Sequence, residues 1–155
     1  MKADRPSPTT LVRNFALRDA QAVEQIVKKC PEAASWSSES YQELDRHGQS
    51  AWVVEADGTV CGFLVARTVA DQGEIMNLAV DPAARRAGNA SALLHRAVAE
   101  FRRRGITDVF LEVRESNSAA ISFYQSRGFV RTGQRPGYYQ NPAEAAVLMI
   151  NKLTA

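Results

Sequence analysis

The chain predicts a mixed α/β or α+β sheet with helices on its faces. Three observations carry this. Asp57-Gly58 lies between two apolar runs, Ala51 to Glu55 and Val60 to Thr68, a strong hairpin signal. Ile75 to Val80 is strand-like and is followed by a helix pattern, Asn89 to Arg104. The same order recurs with Val109 to Val113 and Ser118 to Arg127. An antiparallel hairpin therefore precedes two strand–helix units, whose crossovers after Val80 and Val113 are right-handed if those strands are parallel.

The remaining elements follow in order. Met1 to Thr10 carries Pro6 and Pro8 but no apolar core, so it is expected to be a mobile tail rather than a signal peptide, with residues 11–155 forming one domain. Leu11 to Phe15 is a candidate first strand. Asp19 can cap a helix reaching about Lys29, with Ala22, Val23, Ile26 and Val27 on one face and Pro31 as its stop. Ser37 or Ser38 can cap a short helix through Leu44, stopped near Gly48. The Asn89 helix has the apolar stripe Leu93, Leu94, Ala97, Val98 and Phe101, and Gly105 is its natural end. Gly128 ends the second helix. Phe129 to Thr132 and Ala146 to Ile150 complete the sheet. Tyr138-Tyr139, between Pro136-Gly137 and Asn141-Pro142, are expected in a turn-rich loop.

Bulk properties exclude several function classes. The chain has 155 residues, 45% of them hydrophobic, which suits one domain with a real core. A net charge of +2 is too mild for a nucleic-acid-binding face. Cys30 and Cys61 are far apart and in no CxxC pattern, so a reducing cytoplasmic setting fits better than a disulfide framework. Neither has a histidine at metal-ligand spacing, so no metal is expected. No apolar run approaches the length of a membrane span.

The turn Arg85-Arg86-Ala87-Gly88-Asn89-Ala90 opens the first long helix. Small residues let a ligand approach the backbone closely. The first amides of a helix lack internal partners and its dipole favours negative charge, so a pyrophosphate is a natural occupant. Arg85 and Arg86 add positive charge. The pattern is neither a Walker loop nor a GxGxxG turn. Taken locally, an ordinary strand-to-helix loop is the commoner outcome.

Glu112 shares one face of its strand with Phe110, while Val109, Leu111 and Val113 share the other. A carboxylate among apolar residues on a central strand is costly unless paired, and such a group suits a general base. Equally, it could face water or pair with Arg114 or Arg127. Tyr124 can donate a proton to a leaving group, because a phenol with an ordinary pKa of about 10 is protonated at neutral pH. The commoner role of such a tyrosine is a core aromatic. Asn117 would ordinarily be a plain N-cap. Arg102-Arg103-Arg104 fits a solvated helix end, His47 and His95 fit the surface, and Tyr138-Tyr139 could wall a substrate cleft or cover the core.

In combination these residues resemble the GNAT superfamily of acetyl-CoA-dependent N-acetyltransferases. The matching pieces are Leu78-Ala79-Val80-Asp81-Pro82, the [Q/R]xxGx[G/A] turn from Arg85 to Ala90, and the NxxAxxxYxxxGF run from Asn117 to Phe129. The resemblance extends over most of the chain from Gly62 onward. Leu111-Glu112-Val113-Arg114, Ser116-Asn117, Ser35-Trp36-Ser37 and Tyr138-Tyr139 look like the RimI-type branch, which acetylates the N-terminal amine of a ribosomal protein. Ser35 replaces that branch's usual proline, Ala90 replaces a second glycine, and Glu144-Ala145 replaces an acidic pair.

The resemblance implies a mostly antiparallel sheet of about seven strands with helices on both faces. It implies that backbone at Leu78, Ala79 and Val80 binds pantetheine. Arg85, Arg86, Ala87, Gly88, Asn89, Ala90 and Ser91 would hold the pyrophosphate, and Asn117 would contact coenzyme A. Glu112 would be the base and Tyr124 the acid. Trp36, Tyr138 and Tyr139 would border the acceptor, a protein N-terminal α-amine. The alternatives are a small-molecule amine acceptor or a non-catalytic acyl-CoA-binding domain.

Overall fold

The computed structural model describes residues 10–33, 36–44, 48–140 and 142–153. The strands are β1 (Thr10–Asn14), β2 (Gln49–Ala56), β3 (Thr59–Val69), β4 (Gln72–Val80), β5 (Asp108–Arg114), β6 (Val130–Tyr139) and β7 (Glu144–Lys152). The helices are α1 (Ala20–Lys28), α2 (Ser38–Gln42), α3 (Asn89–Arg103) and α4 (Ser118–Ser126). All seven strands join one sheet in the order β1-β2-β3-β4-β5-β7-β6. Neighbours are antiparallel except β4 and β5, which run parallel across the α3 connection.

The β2–β3 hairpin forms at Asp57-Gly58, both with positive φ, the conformation that a two-residue turn between right-twisted strands requires. The β3–β4 hairpin turns at Ala70-Asp71 instead, with Ala70 at φ +54°. No glycine marks it, so β4 begins three residues before the expected Ile75. Thr10, assigned from sequence to the tail, pairs with Ala56 in β1, and the rest of that tail lies outside the described residues. Ser35, His47 and Asn141 also lie outside them.

Helices cover both faces. Val23, Ile26 and Val27 of α1 pack with Tyr41 of α2 on Val53, Phe63 and Val65. Leu93, Leu94, Ala97 and Phe101 of α3 pack with Tyr124 of α4 on the other face, against Trp52, Leu64, Val109 and Leu111. Alternate residues of β2 and β3 serve opposite cores, as the period of a strand dictates. Asp19 stands at the α1 N-cap position without capping it. Its carboxylate accepts both terminal nitrogens of Arg13, at 2.7 and 2.8 Å, and the Ala16 amide. Arg13 thereby holds the Asp19 carboxyl below the usual range and ties β1 to the start of α1.

The site is shaped by two irregularities in β4. Val65 pairs with Asn77 but Ala66 pairs with Ile75, so Met76 is an extra, bulged residue. A bulge bends its strand and increases the local twist. On the other side of β4, the parallel ladder to β5 holds only Gly73–Val109, Glu74–Phe110 and Ile75–Leu111. Beyond Ile75 and Leu111 both strands continue without pairing to each other, and the sheet splays open.

Candidate active site

The splay between β4 and β5 is a cleft whose lining includes Met76, Leu78, Glu112, Asn117, Tyr124 and Tyr139. Backbone groups of β4 beyond Ile75 that turn toward this gap have no strand partner. Leu78, Ala79 and Val80 thus form the strand edge along which a ligand can run. Val80 itself ends in a crowded corner: its carbonyl accepts the Arg85 Nε–H at 3.2 Å and the Cys30 thiol at 3.5 Å. Burial pushes that thiol's pKa up.

Glu112 lies on the half-buried face of β5 with Phe110 and Arg114, while Val109, Leu111 and Val113 are buried opposite. Its partner is neither Arg114 nor Arg127. Arg135 of β6 donates from Nη1 to Glu112 Oε1 at 2.8 Å, and Oε2 is buried with no hydrogen-bond partner among the described residues. Arg114 is engaged elsewhere. It donates to Glu144 Oε1 at 3.3 Å and lies 4.3 Å from the centre of the Tyr139 ring. Glu144 Oε2 also accepts the Ser116 amide, so the β6–β7 turn is latched onto the end of β5.

Tyr124 is both core aromatic and cleft residue. Its ring meets Phe123 and Phe129 edge-on, at 5.3 and 5.4 Å, while the residue contributes to the cleft wall. Burial, and secondarily Tyr139, push its phenol far above the ordinary value. Asn117 caps α4 by accepting the Ala120 amide at 3.1 Å and also borders the cleft.

The turn before α3 forms a second hollow, continuous with the end of β4 and walled on one side by Phe123. Arg86 and Gly88 both have positive φ, +64° and +80°. Gly88 occupies the N-cap of α3 and offers no side chain to its amides. Ser37 and Asn117, in contrast, cap α2 and α4 with side-chain acceptors. The leading amides of α3 are thus open to an anion. Ala87, Ala90 and Ser91 keep this turn small. Arg127 donates to the Ser91 hydroxyl and stands over Phe123 at 5.6 Å, beside the same hollow. Two residues named from sequence border this hollow but have side chains engaged within the protein. Arg85 reaches back to Glu32 at 2.6 Å, and Asn89 donates to the Ala84 carbonyl at 2.9 Å.

On the acceptor side, Tyr138-Tyr139 lie in β6 rather than in a loop. Pro136-Gly137 are absorbed as an irregularity in this edge strand, and Tyr139 pairs with Glu144. Tyr139 borders the cleft, and its phenol is pushed up to about 12, first by burial and then by the nearby Tyr138 and Glu112. Trp36 is not brought to the same wall. It stacks at 6.1 Å on Tyr41 and lines an adjoining hollow, joined to the cleft through Met76. Sequence inspection missed Met76 and Arg135, and it considered Arg127 only as a partner for Glu112. Only Arg127 carried a signal, lying inside the Asn117–Phe129 run.

The Acetyltransferase (GNAT) family profile matches residues 20–129. The [Ribosomal protein bS18]-alanine N-acetyltransferase of Escherichia coli (strain K12) is 33% identical over 119 residues, 76% of this chain and 80% of that protein. The solved structure of the ribosomal-protein-S18-alanine N-acetyltransferase from Escherichia coli has a TM-score of 0.84 at 28% identity, covering 95% of this chain and 96% of that one. Ard1 from Thermoplasma volcanium gives 0.86 at 29% identity, covering 94% and 99%.

Proposed function

This chain belongs to the acetyltransferase (GNAT) family and is an acetyl-CoA-dependent N-acetyltransferase, and on that footing we propose that its acceptor is the N-terminal α-amine of a protein, most specifically the N-terminal alanine of a ribosomal protein. The observation that carries the chemistry is the convergence of Glu112 from β5 and Tyr124 from α4 on one cleft, opened by the bulge at Met76. The acceptor assignment is supported by the likeness to the bS18-alanine enzyme over most of both chains.

The residues fit the donor's shape. The open amides behind Gly88 suit its pyrophosphate, with Arg86 beside them, and the unpaired edge of Leu78, Ala79 and Val80 suits an extended pantetheine arm. Asn117 would contact the same arm. When bound, acetyl-CoA supplies an activated acyl carbon. Glu112, directly or through a water, takes the proton of the acceptor amine as the new C–N bond forms. An α-amine has an ordinary pKa near 8, so a modest base suffices. A backbone N–H of the Leu78–Val80 edge would stabilise the negative charge that grows on the acyl oxygen. Tyr124 gives its proton to the sulfur as the C–S bond breaks. Burial strengthens the phenol's hold on that proton, but a thiolate released against the same buried wall is also poorly solvated, which raises its own proton affinity.

Trp36, Tyr138 and Tyr139 would flank the acceptor peptide. We take residues 10–153 as one catalytic domain built on the single sheet. Free thiols at Cys30 and Cys61 fit a cytoplasmic setting, and no helix among the described residues is long and apolar enough to cross a membrane. The test is mass spectrometry of protein N-termini in cells with and without this protein. Loss of acetyl from alanine-starting N-termini supports the assignment. An unchanged N-terminal profile with altered small-amine acetylation would overturn it.

A further inference from the structure

We propose that Arg135 is a positioning residue for acetyl transfer: it fixes one oxygen of Glu112 so that the other is presented to the acceptor amine. This rests on the acetyl-transfer reading of the cleft. Arg135 belongs to β6, and β7 lies between β6 and β5, so the contact crosses a whole strand. The register explains how it can. Ala146 of β7 pairs with Arg114 on one side and Arg135 on the other, so the three share a face. Leu148 pairs with Glu112 and stands opposite Gly133. The fully buried methyl of Ala146 leaves room for the Arg135 side chain to pass diagonally to Glu112.

The contact has a particular form. An arginine facing a carboxylate can occupy both oxygens with its fork. Here Nη1 takes Oε1 at 2.8 Å, while Oε2 is buried and makes no hydrogen bond of normal geometry among the described residues, although the Tyr138 phenol is near enough to Glu112 for its pKa to be raised by the carboxylate after burial. A buried carboxylate oxygen without a donor is costly, and an N–H of an incoming amine would satisfy it. The guanidinium is itself steadied by the Tyr138 ring, whose centre is 4.4 Å away. Arg114, the neighbouring cation two residues along β5, is committed to Glu144 and Tyr139. Among the described residues Arg135 is therefore the cation that holds Glu112.

The test is steady-state coenzyme A release with acetyl-CoA and an alanine-terminated peptide, for the wild type, Arg135→Ala, Arg135→Lys, Glu112→Gln and the Arg135→Ala/Glu112→Gln pair. Displacing a proton acceptor by a fraction of an ångström is a kcat effect, so Arg135→Ala lowers kcat about tenfold or more while both KM values stay within about twofold. Arg135→Lys keeps a cation at the site and recovers part of the loss. In the Glu112→Gln background Arg135→Ala has little further effect, because the group it positions is gone. A wild-type kcat in Arg135→Ala, fully additive losses in the pair, or an effect confined to the peptide KM would each overturn the proposal. A wild type without turnover on any amine would instead overturn the acetyl-transfer reading itself, and this proposal with it.

Discussion

Tyr124 is enclosed by Phe123 and Phe129, so its hydroxyl is the one polar feature of an otherwise apolar side chain at the cleft wall. Tyr124→Phe preserves the ring packing and removes the proton. It should lower kcat roughly 10²-fold or more with coenzyme A affinity unchanged, measured by turnover and by calorimetric binding. Glu112→Gln should likewise reduce kcat, since the amide cannot take a proton from the amine. The tyrosines add a pH dependence. Tyr139 is raised to about 12 in the folded protein against about 10 in an unfolded chain. A raised folded pKa means that its contribution to stability is complete below about pH 10 and is lost as pH rises toward 12. Melting temperature should therefore hold level on the alkaline side up to about pH 10 and then fall, and Tyr139→Phe should soften that fall. At this scale the strand position of Glu112 and the helix position of Tyr124, which put both on the cleft, were legible because a lone acid on an alternating strand and a phenol in a recognisable run are local patterns. Arg135 was not, because nothing local indicates that a residue 23 positions away lies two strands over.

The elements near the site depart from ideal geometry where a ligand would need it. Helix α3 begins at a glycine with φ +80°, while α2 and α4 begin at side-chain caps. A Cβ at Gly88 would meet no atom within 4 Å, so crowding is not what excludes it. Gly88→Ala should cost about 1–2 kcal/mol through the left-handed backbone. It should also raise the KM for acetyl-CoA, because the new methyl stands beside the open amides. Equal loss of stability with an unchanged acetyl-CoA KM would argue that this turn holds no anion. The turn itself was legible through its glycine and small residues. The β4 bulge was not, because Met76 continues an apolar run and only the offset between Val65–Asn77 and Ala66–Ile75 shows it. The Ala70-Asp71 turn escaped for want of glycine or asparagine, and Pro136-Gly137 suggested a loop because an edge strand tolerates residues that an interior strand would not.

Across the whole molecule, one sheet separates two apolar cores, and its central strands feed both. Phe63 is fully buried under α1, and Leu93 is fully buried on the inner face of α3. Phe63→Ala should cost about 3–5 kcal/mol and Leu93→Ala about 2–5 kcal/mol. Each should lower the midpoint of a single unfolding transition, followed by circular dichroism, because strands shared between the cores make them one cooperative unit. The layering was legible from the apolar stripes and the hairpin signal. The insertion of β7 between β5 and β6 was not, since chain order says little about which strand fills a sheet's gap, and Arg135 reaches Glu112 across that strand. By this mechanism the molecule would deliver acetyl to an α-amine at the end of a chain. This is tested most directly by incubating the protein with acetyl-CoA and an alanine-terminated peptide that also contains lysine, then locating the acetyl group by fragment mass spectrometry. A single acetyl on the terminal nitrogen is expected, with no reaction when that nitrogen is blocked. Acetyl on lysine, or undiminished turnover of the blocked peptide, would contradict it.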